Sequence, residues 1–136
     1  MRMQADKLLA ALAMLALSAC VSTGPLGPPL PLAGTHWVRS DDADAAPHFP
    51  TLAFSDGRAS GFDGCNLWNA PIDQTGGGLR FGQAATTRRA CGADSAAATA
   101  RRFWQAIRAT RAARNEGDAL VLLDVEQNVL ARFTRD

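Results

Sequence analysis

The stretch that decides the fold begins at Gly61-Phe62-Asp63-Gly64-Cys65-Asn66 and ends at Thr86-Thr87-Arg88-Arg89-Ala90-Cys91. It holds the only two cysteines beyond the N-terminal leader, and each lies in a polar or glycine-containing context. We interpret Cys65 and Cys91 as one disulfide that ties together the strands on either side of it. Closing a loop of roughly 25 residues would stabilise the fold by about 3 kcal/mol.

Two other roles for this cysteine pair would need neighbours at a different spacing. A metal site needs further ligands, and neither a histidine nor a second cysteine lies at ligand spacing from either residue. A redox-active pair usually has Cys-x-x-Cys spacing, which these two cysteines lack. The sequence therefore favours a structural cross-link, and we expect neither a metal nor a cofactor.

Residues 1–19 have the build of a bacterial lipoprotein signal peptide. Arg2 and Lys7 give a positive start, and residues 8–17 form an apolar run that is too short to span a bilayer as a helix. The run ends in Leu17-Ser18-Ala19-Cys20, which resembles the lipobox that precedes a lipidated cysteine. An ordinary cleaved signal with an incidental cysteine is the alternative.

Acylation of Cys20 also accounts for the number of cysteines. The chain has three of them, and exported proteins seldom keep a free reactive thiol. If Cys20 carries acyl chains, Cys65 and Cys91 are left as a pair. A thiol at the new N-terminus can hold the two or more chains that stable membrane anchoring requires.

Residues 20–33 are predicted to form a tether between this anchor and the folded domain. They are rich in proline and glycine, a composition that favours extended backbone over a packed core. At about 3 Å per residue, the tether would hold a domain up to roughly 40 Å from a membrane. Val21 stands where lipoproteins of the enteric type carry Asp for inner-membrane retention. We therefore expect an outer-membrane lipoprotein that faces the periplasm, anchored at Cys20.

The chain after the leader is electrically neutral. Once Arg2, Lys7 and Asp6 are set aside, 12 basic and 12 acidic residues remain. Nucleic-acid binding needs a basic surplus, because contacts to the phosphate backbone dominate the affinity. The sequence therefore excludes nucleic acid as the main partner.

Residues 34–136 are predicted to form one domain of the α+β class. Strand patterns come before and after a single helical pattern, and this order favours an antiparallel sheet with a helix against one side. Asp94 or Ser95 can cap the helix, which is expected to end near Arg108.

The predicted strands are short and separated by turn residues. Asp56-Gly57 predicts a hairpin turn, Gly61 and Gly64 indicate a bulge or a sharp bend, and Pro71 indicates an edge strand. Residues 40–50 are acidic and bounded by proline, so they are predicted to be a surface loop. The predicted strands are 35–39, 51–54, 58–62, 67–72, 79–82, 85–88, 109–115, 119–123 and 129–133.

Several parts of this pattern resemble the META domain family. They are the two halves of the opening stretch, Gly61 to Asn66 and Thr86 to Cys91, together with Leu79-Arg80-Phe81-Gly82 between them. The opening Gly34-Thr35-His36-Trp37 and the closing segment, residues 120–133, are also similar to those of its members. The resemblance covers residues 33–135. The family includes a heat-shock-inducible lipoprotein of the bacterial envelope.

The resemblance implies a small curved antiparallel sheet, partly barrel-like, with one helix. It also implies a shape similar to that of a lipid-binding pilot lipoprotein of secretion systems. The chain departs from the family at Asn69-Ala70-Pro71-Ile72, where members often carry a small-aromatic pair. This departure bears on any surface site that the family builds at that position.

Asn66 and Arg88 are the candidate binding residues. Asn66 follows a cysteine in a glycine-rich bend, where its side chain either caps local backbone or contacts a ligand. Arg88 and Arg89 are strand neighbours that point to opposite faces, so only one can brace the loop around Asn66 or Asp63. The other reading of these arginines is that they hold an anionic group.

No residue set in the sequence amounts to a catalytic centre. His36 and His48 are too few and too separated, and no serine lies in a nucleophile-elbow pattern. An envelope hydrolase would need Asp63, Asn66 and Arg88 to converge in a cleft, and we expect that least.

We therefore expect a non-catalytic envelope lipoprotein with a binding or stress-related accessory role. Its partner would be an envelope protein or an acyl chain, and the alternative is a lipid-binding chaperone of the secretion-pilot kind. Its large apolar residues either fill a solid core or line a lipid cavity. They are Trp37, Phe54, Phe62, Trp68, Phe81, Phe103 and Trp104.

Overall fold

The computed structural model of the protein describes residues 27–136. In this part of the chain nine strands form an antiparallel sheet, and one α-helix, α1 (Asp94–Ala109), packs against it. The strands are β1 (His36–Arg39), β2 (Thr51–Ser55), β3 (Arg58–Phe62), β4 (Leu67–Asp73), β5 (Arg80–Phe81), β6 (Ala85–Thr86), β7 (Ala112–Glu116), β8 (Ala119–Leu123) and β9 (Val129–Arg135). The predicted signal peptide, Cys20 and the first part of the predicted tether lie outside the described residues.

The sheet curls but does not close. Its strand order is β5-β4-β3-β2-β1-β9-β8-β7, and β6 pairs with β4 beside β5. Just before the two end strands, the Leu79 N–H donates to the Arg111 carbonyl oxygen at 3.0 Å. The predicted fold class, a small curved antiparallel sheet with one helix, is therefore confirmed.

Two glycines near the end of β3 allow close contacts between neighbouring segments. A Cβ atom at Gly61 would lie 2.1 Å from the Thr51 carbonyl oxygen of β2, so a larger residue there would force the two backbones apart. Gly64 has φ +104° and packs against Thr99 of α1. Both positions therefore bring the chain closer to its neighbours than a side chain would allow.

The prediction that β4 is an edge strand is wrong. β4 pairs with β3 along one side and with β5 and β6 along the other. Pro71 lies at the gap between those two short partners, where its carbonyl oxygen accepts the Gly82 N–H at 2.8 Å. The missing N–H of proline falls in this gap, so the strand tolerates it away from a sheet edge.

The helix confirms its predicted position but not its predicted cap. Ala93 is the N-cap residue, and no side chain donates or accepts a capping hydrogen bond there. The face of α1 that enters the core is formed by Thr99, Phe103, Ala106 and Ile107. Packing against the curled sheet, rather than a cap, therefore fixes the helix.

The predicted surface loop between β1 and β2 packs partly against the helix. Asp42 and Ala45 are buried, and the Arg102 guanidinium donates through Nε and Nη2 to the Asp42 carboxylate at 3.0 and 2.9 Å. This hydrogen bond raises the pKa of Arg102 above its ordinary value. An ion pair thus joins the loop to α1.

The packed part of the chain begins before residue 34, where the sequence placed the domain boundary. Leu32 is 2% exposed in the core, and its carbonyl oxygen accepts hydrogen bonds from the Thr35 N–H and hydroxyl. Leu30 packs against the same core. Alternate residues of an extended segment face one side, so this proline-rich segment can still bury two leucines.

Candidate functional site

The predicted site residues lie in a disulfide bend, defined here as residues 63–66 and 87–91. Asp63 is 3% exposed, and both oxygens of its carboxylate accept hydrogen bonds. Its Oδ1 accepts the N–H groups of Cys65 at 2.8 Å and Asn66 at 2.6 Å, and its Oδ2 accepts Trp104 Nε1–H at 2.8 Å. Asp63 therefore holds the bend and attaches it to α1.

Asn66 joins the two halves of the bend. Its Oδ1 accepts the Arg89 N–H at 2.7 Å and the Thr87 hydroxyl at 3.0 Å. Its Nδ2 lies 3.3 Å from Cys65 Sγ. The side chain thus caps backbone more than 20 residues away in the sequence, rather than the local backbone that we expected.

Cys65 and Cys91 lie at disulfide distance, with their Cα atoms 5.5 Å apart. This separation is typical of protein disulfides. The cross-link and the Asn66 hydrogen bonds join the same two segments, so the bend is held by covalent and polar contacts together.

The Arg88 side chain takes no part in the hydrogen bonds of the bend. It is exposed, and within residues 27–136 its side chain makes no hydrogen bond or ion pair. Asp63 and Asn66 are adjacent but occupied by structural hydrogen bonds. Of the three residues that a hydrolytic site would need, two are therefore engaged in structural hydrogen bonds, and the Arg88 side chain donates to neither of them.

An open cleft lies elsewhere, between α1 and the segment that joins β5 to β6. Its volume is about 400 Å³, within the range of ligand pockets. The rings of Phe81 and Trp104 and the side chain of Ile107 form its apolar floor, and Gln83 and Arg108 lie at its rim. Gly82, Ala84 and Thr86 complete the lining.

Some of the large aromatic residues are buried in the core, and two line the cleft. Trp37, Phe54, Trp68 and Phe103 are buried, whereas Phe81 and Trp104 are partly exposed. The Trp68 ring lies 6.2 Å from that of Phe81 and 5.4 Å from that of Trp104. The cleft floor is thus supported from behind by a packed aromatic cluster, and Phe81 and Trp104 are the aromatic residues in its lining.

The electrostatics of the cleft are simple. Arg108 is the only charged residue in its lining, and no acidic residue lines it. Behind the floor, the indole N–H of Trp68 is buried without an acceptor. Across the described part of the chain, no group of three or more His, Cys, Asp or Glu side chains comes close enough to hold a metal ion.

Sequence reasoning selected the polar bend and did not locate the cleft. Gln83 and Arg108 carried no motif, and Phe81 and Trp104 were placed among large apolar residues that either fill a core or line a cavity. No sequence signal marked this segment, because the predicted strands 79–82 and 85–88 are longer than β5 and β6, which have 2 residues each and leave residues 82–84 between them.

The comparisons with known proteins now identify the family. The META domain family model matches residues 30–136. The chain belongs to the META domain family. The match begins at Leu30, in agreement with the burial of Leu32 in this META domain.

Two solved structures are similar to this META domain in fold. A protein from Burkholderia xenovorans, solved by NMR, is 20% identical with a TM-score of 0.60, and the match covers 100% of this chain and 99% of that one. A second NMR structure is 17% identical with a TM-score of 0.57, covering 76% and 90% of the two chains. The search of curated proteins finds no match. Among the residues placed by the structure, no helix is long and apolar enough to cross a membrane.

Proposed function

We propose that this META domain is the non-catalytic binding domain of a bacterial envelope lipoprotein. It is anchored by acyl chains on Cys20 and faces the periplasm from the outer membrane, where it has an accessory role under stress. The lipobox-like residues 17–20 and the family membership support this proposal. The observation that carries the binding role is the apolar cleft, since the polar residues of the disulfide bend are occupied by structural contacts.

The cleft fits an apolar group of a partner protein. Burial of apolar surface contributes about 25 cal/mol per Å², and Phe81 and Trp104 offer such surface on a rigid support. Aromatic residues in pockets are typical anchors of binding energy. Gln83 and Arg108 at the rim provide polar contacts that would orient the bound segment.

One observation favours an acyl chain as the second candidate. The lining combines an apolar floor with a single positive charge, Arg108. An acyl chain with an anionic head group matches both features, because the chain would lie on the rings and the head would approach the guanidinium. The cleft is open at the surface, so such a ligand would be held in a groove.

Photo-crosslinking in the native envelope tests the cleft as the binding site. A photoreactive amino acid is placed at Gln83, in the lining, or at Gln105, which is exposed on α1 outside it. We expect a discrete crosslinked protein from position 83 and none from position 105. Mass spectrometry of the purified protein checks the second candidate. A fatty acyl ligand that copurifies with the protein, and is lost when a residue of the cleft is substituted, would favour it. Equal products from both positions would contradict binding at the cleft.

The charge at the rim offers a matched pair of variants. Arg108→Glu reverses the charge in the lining, whereas Arg101→Glu makes the same change on the exposed surface of α1 outside it. In a strain that lacks the protein, we expect Arg101→Glu to restore growth under heat or envelope stress and Arg108→Glu to fail. Equal restoration by both variants would contradict a role for the cleft.

The anchor has its own test. Mass spectrometry of the protein purified from the native envelope should find an N-terminal Cys20 that carries acyl chains. The Cys20→Ala variant should be released from the membrane fraction. An unmodified Cys20, or a chain that retains residues 1–19, would contradict the lipoprotein assignment.

A further inference from the structure

The last part of the predicted tether lies on the domain. The backbone of Gly27 runs against Gly77, so closely that a Cβ atom at Gly77 would lie 2.1 Å from the Gly27 carbonyl oxygen. Gln74 Nε2–H donates to the Leu30 carbonyl oxygen at 3.0 Å. With Leu32 in the core, residues 27–32 are attached to the loop between β4 and β5.

This attachment shortens the free tether. Six residues separate Cys20 from Gly27, and seven steps of extended chain span at most about 25 Å. A folded unit of about 110 residues has a radius of gyration of about 13 Å, hence a diameter of about 35 Å. The tether is therefore shorter than the domain is wide, and the surface opposite Gly27 cannot reach the bilayer.

Two elements show which surfaces lie near and far from the attachment. The tether end is defined here as residues 74–78, 80, 111 and 125–127. β4 has 7 residues and leads from the disulfide bend to this end over about 20 Å. α1 has 16 residues and leads the same way over about 24 Å, from beside Cys91 to just before Arg111.

We propose that the tether end faces and contacts the bilayer in the anchored protein, and that the disulfide bend points into the periplasm. This inference rests on the proposed anchor at Cys20, and the partner is the lipid surface. Val125, which is 76% exposed, is the most exposed large apolar residue of the described chain and lies at this end. It lines a shallow cleft of about 260 Å³ together with Arg80 and Arg111.

The short tether, rather than a positive surface, maintains this orientation. Asp73 pairs with Arg80 across the two strands, and Asp124 and Glu126 flank Val125 in the chain, so acidic residues offset the two arginines at this end. The orientation also places the functional cleft near the membrane. Phe81 follows Arg80 directly, and the Arg111 guanidinium donates to the Arg108 carbonyl oxygen at 2.9 Å, so the cleft lies beside the tether end.

Paramagnetic relaxation in nanodiscs tests the orientation. Residues 20–136 are coupled through the Cys20 thiol to a maleimide lipid, with Cys65 and Cys91 joined in their disulfide, and the nanodiscs contain gadolinium-chelating lipid. We expect several-fold larger relaxation enhancement at the amides of Gly76 and Gly78 than at those of Gly64 and Gly92. Equal enhancement at the two ends, or a larger one at Gly64 and Gly92, would overturn the proposal.

A variant with a longer tether supplies the control. Inserting about twelve Gly and Ser residues after Leu26 raises the reach to about 65 Å. The difference between the two ends should then fall by at least half, and a difference that survives unchanged would show that the tether does not set the orientation. Because the lipid is attached chemically, this result does not depend on acylation in the cell, which the mass spectrometry of native protein tests separately.

Discussion

Trp104 connects the disulfide bend to the cleft, and each region contacts a different part of its side chain. Its indole N–H donates to Asp63 in the bend, while its ring forms the floor of the cleft. Polar side chains at the bend satisfy buried backbone N–H groups, whereas apolar rings at the cleft remain partly exposed. Buried polar groups are usually hydrogen-bonded for structural reasons. This contrast is the reason for proposing the binding site at the exposed apolar surface rather than at the bend.

The largest expected effect is that of Asp63→Ala on stability. Removal of the Asp63 carboxylate leaves the N–H groups of Cys65 and Asn66 and the indole N–H of Trp104 without acceptors. Hydrogen bonds to charged groups and buried unsatisfied donors together predict a loss of about 3–5 kcal/mol in the free energy of unfolding. Urea denaturation measures it, with Asp136→Ala at the exposed C-terminus as control. A loss below about 1 kcal/mol would contradict the structural role of the bend.

Removal of the cross-link should come second. The double variant Cys65→Ser, Cys91→Ser loses a constraint on the unfolded chain, and we expect a loss of about 3 kcal/mol. Ligand binding at the cleft should persist at temperatures where the variant stays folded. Thiol titration of residues 21–136, unfolded without a reducing agent, checks the pairing of Cys65 with Cys91 directly. We expect no free thiol, and two reactive thiols would refute the pairing.

Trp104→Phe separates the two uses of the shared residue. Phenylalanine keeps an apolar ring at the cleft but cannot donate to Asp63, so we expect a loss of about 1–2 kcal/mol with ligand binding retained. The double variant with Asp63→Ala should lose less than the sum of the two single variants, because both remove the same hydrogen bond. Additive losses in this cycle would show that the N–H···O contact contributes nothing.

The two predicted binding residues should differ from each other. Asn66→Ala removes the acceptor for the Arg89 N–H and should cost about 1 kcal/mol. Arg88→Ala changes an exposed side chain, and we expect a change within about 0.5 kcal/mol. Neither variant should alter crosslinking from Gln83. If Arg88→Ala abolished that crosslink, the binding site would extend to the disulfide bend.

Local turn chemistry and apolar patterning made part of the fold predictable. β3 and β8 occupy the predicted residues because Asp56-Gly57 sets one hairpin and an unbroken apolar run forms the other strand. The pairing of Cys65 with Cys91 follows from the cysteine count. The predicted edge position of β4 was wrong because the sequence predicted strands at 79–82 and 85–88 but did not indicate that both pair with β4.

The candidate site could not be predicted in the same way. Whether Phe81 and Trp104 are core or accessible depends on how α1 is rotated against the curled sheet, which sequence spacing leaves undetermined. The burial of Leu32 was also missed, because the surrounding prolines dominated the interpretation of residues 20–33. The sequence did contain a signal: Leu30 and Leu32 are two residues apart, the spacing that puts both side chains on one face of an extended segment.

The smallest expected effect concerns the turn at residues 124–128. There an aspartate accepts backbone N–H groups at the surface, as Asp63 does in the buried bend. Asp124 accepts the N–H groups of Glu126 and Asn128, much as Asp63 accepts those of Cys65 and Asn66. Hydrogen bonds from the side chain and backbone of Asn128, with a further one from Glu126, hold the pKa of Asp124 below its ordinary value. A carboxyl NMR titration should show this depression, and Asn128→Ala should raise the pKa towards that of a free aspartate.

A lowered carboxyl pKa contributes stability that is present above the unfolded-state pKa, about 3.9, and is lost as the pH falls through the folded-state pKa. The contribution of Asp124 should therefore disappear only in acid. Because this carboxylate is exposed, water replaces the lost hydrogen bonds, and Asp124→Ala should destabilise far less than Asp63→Ala. Equal losses of stability from Asp63→Ala and Asp124→Ala would contradict the argument that burial makes these hydrogen bonds more important at the bend.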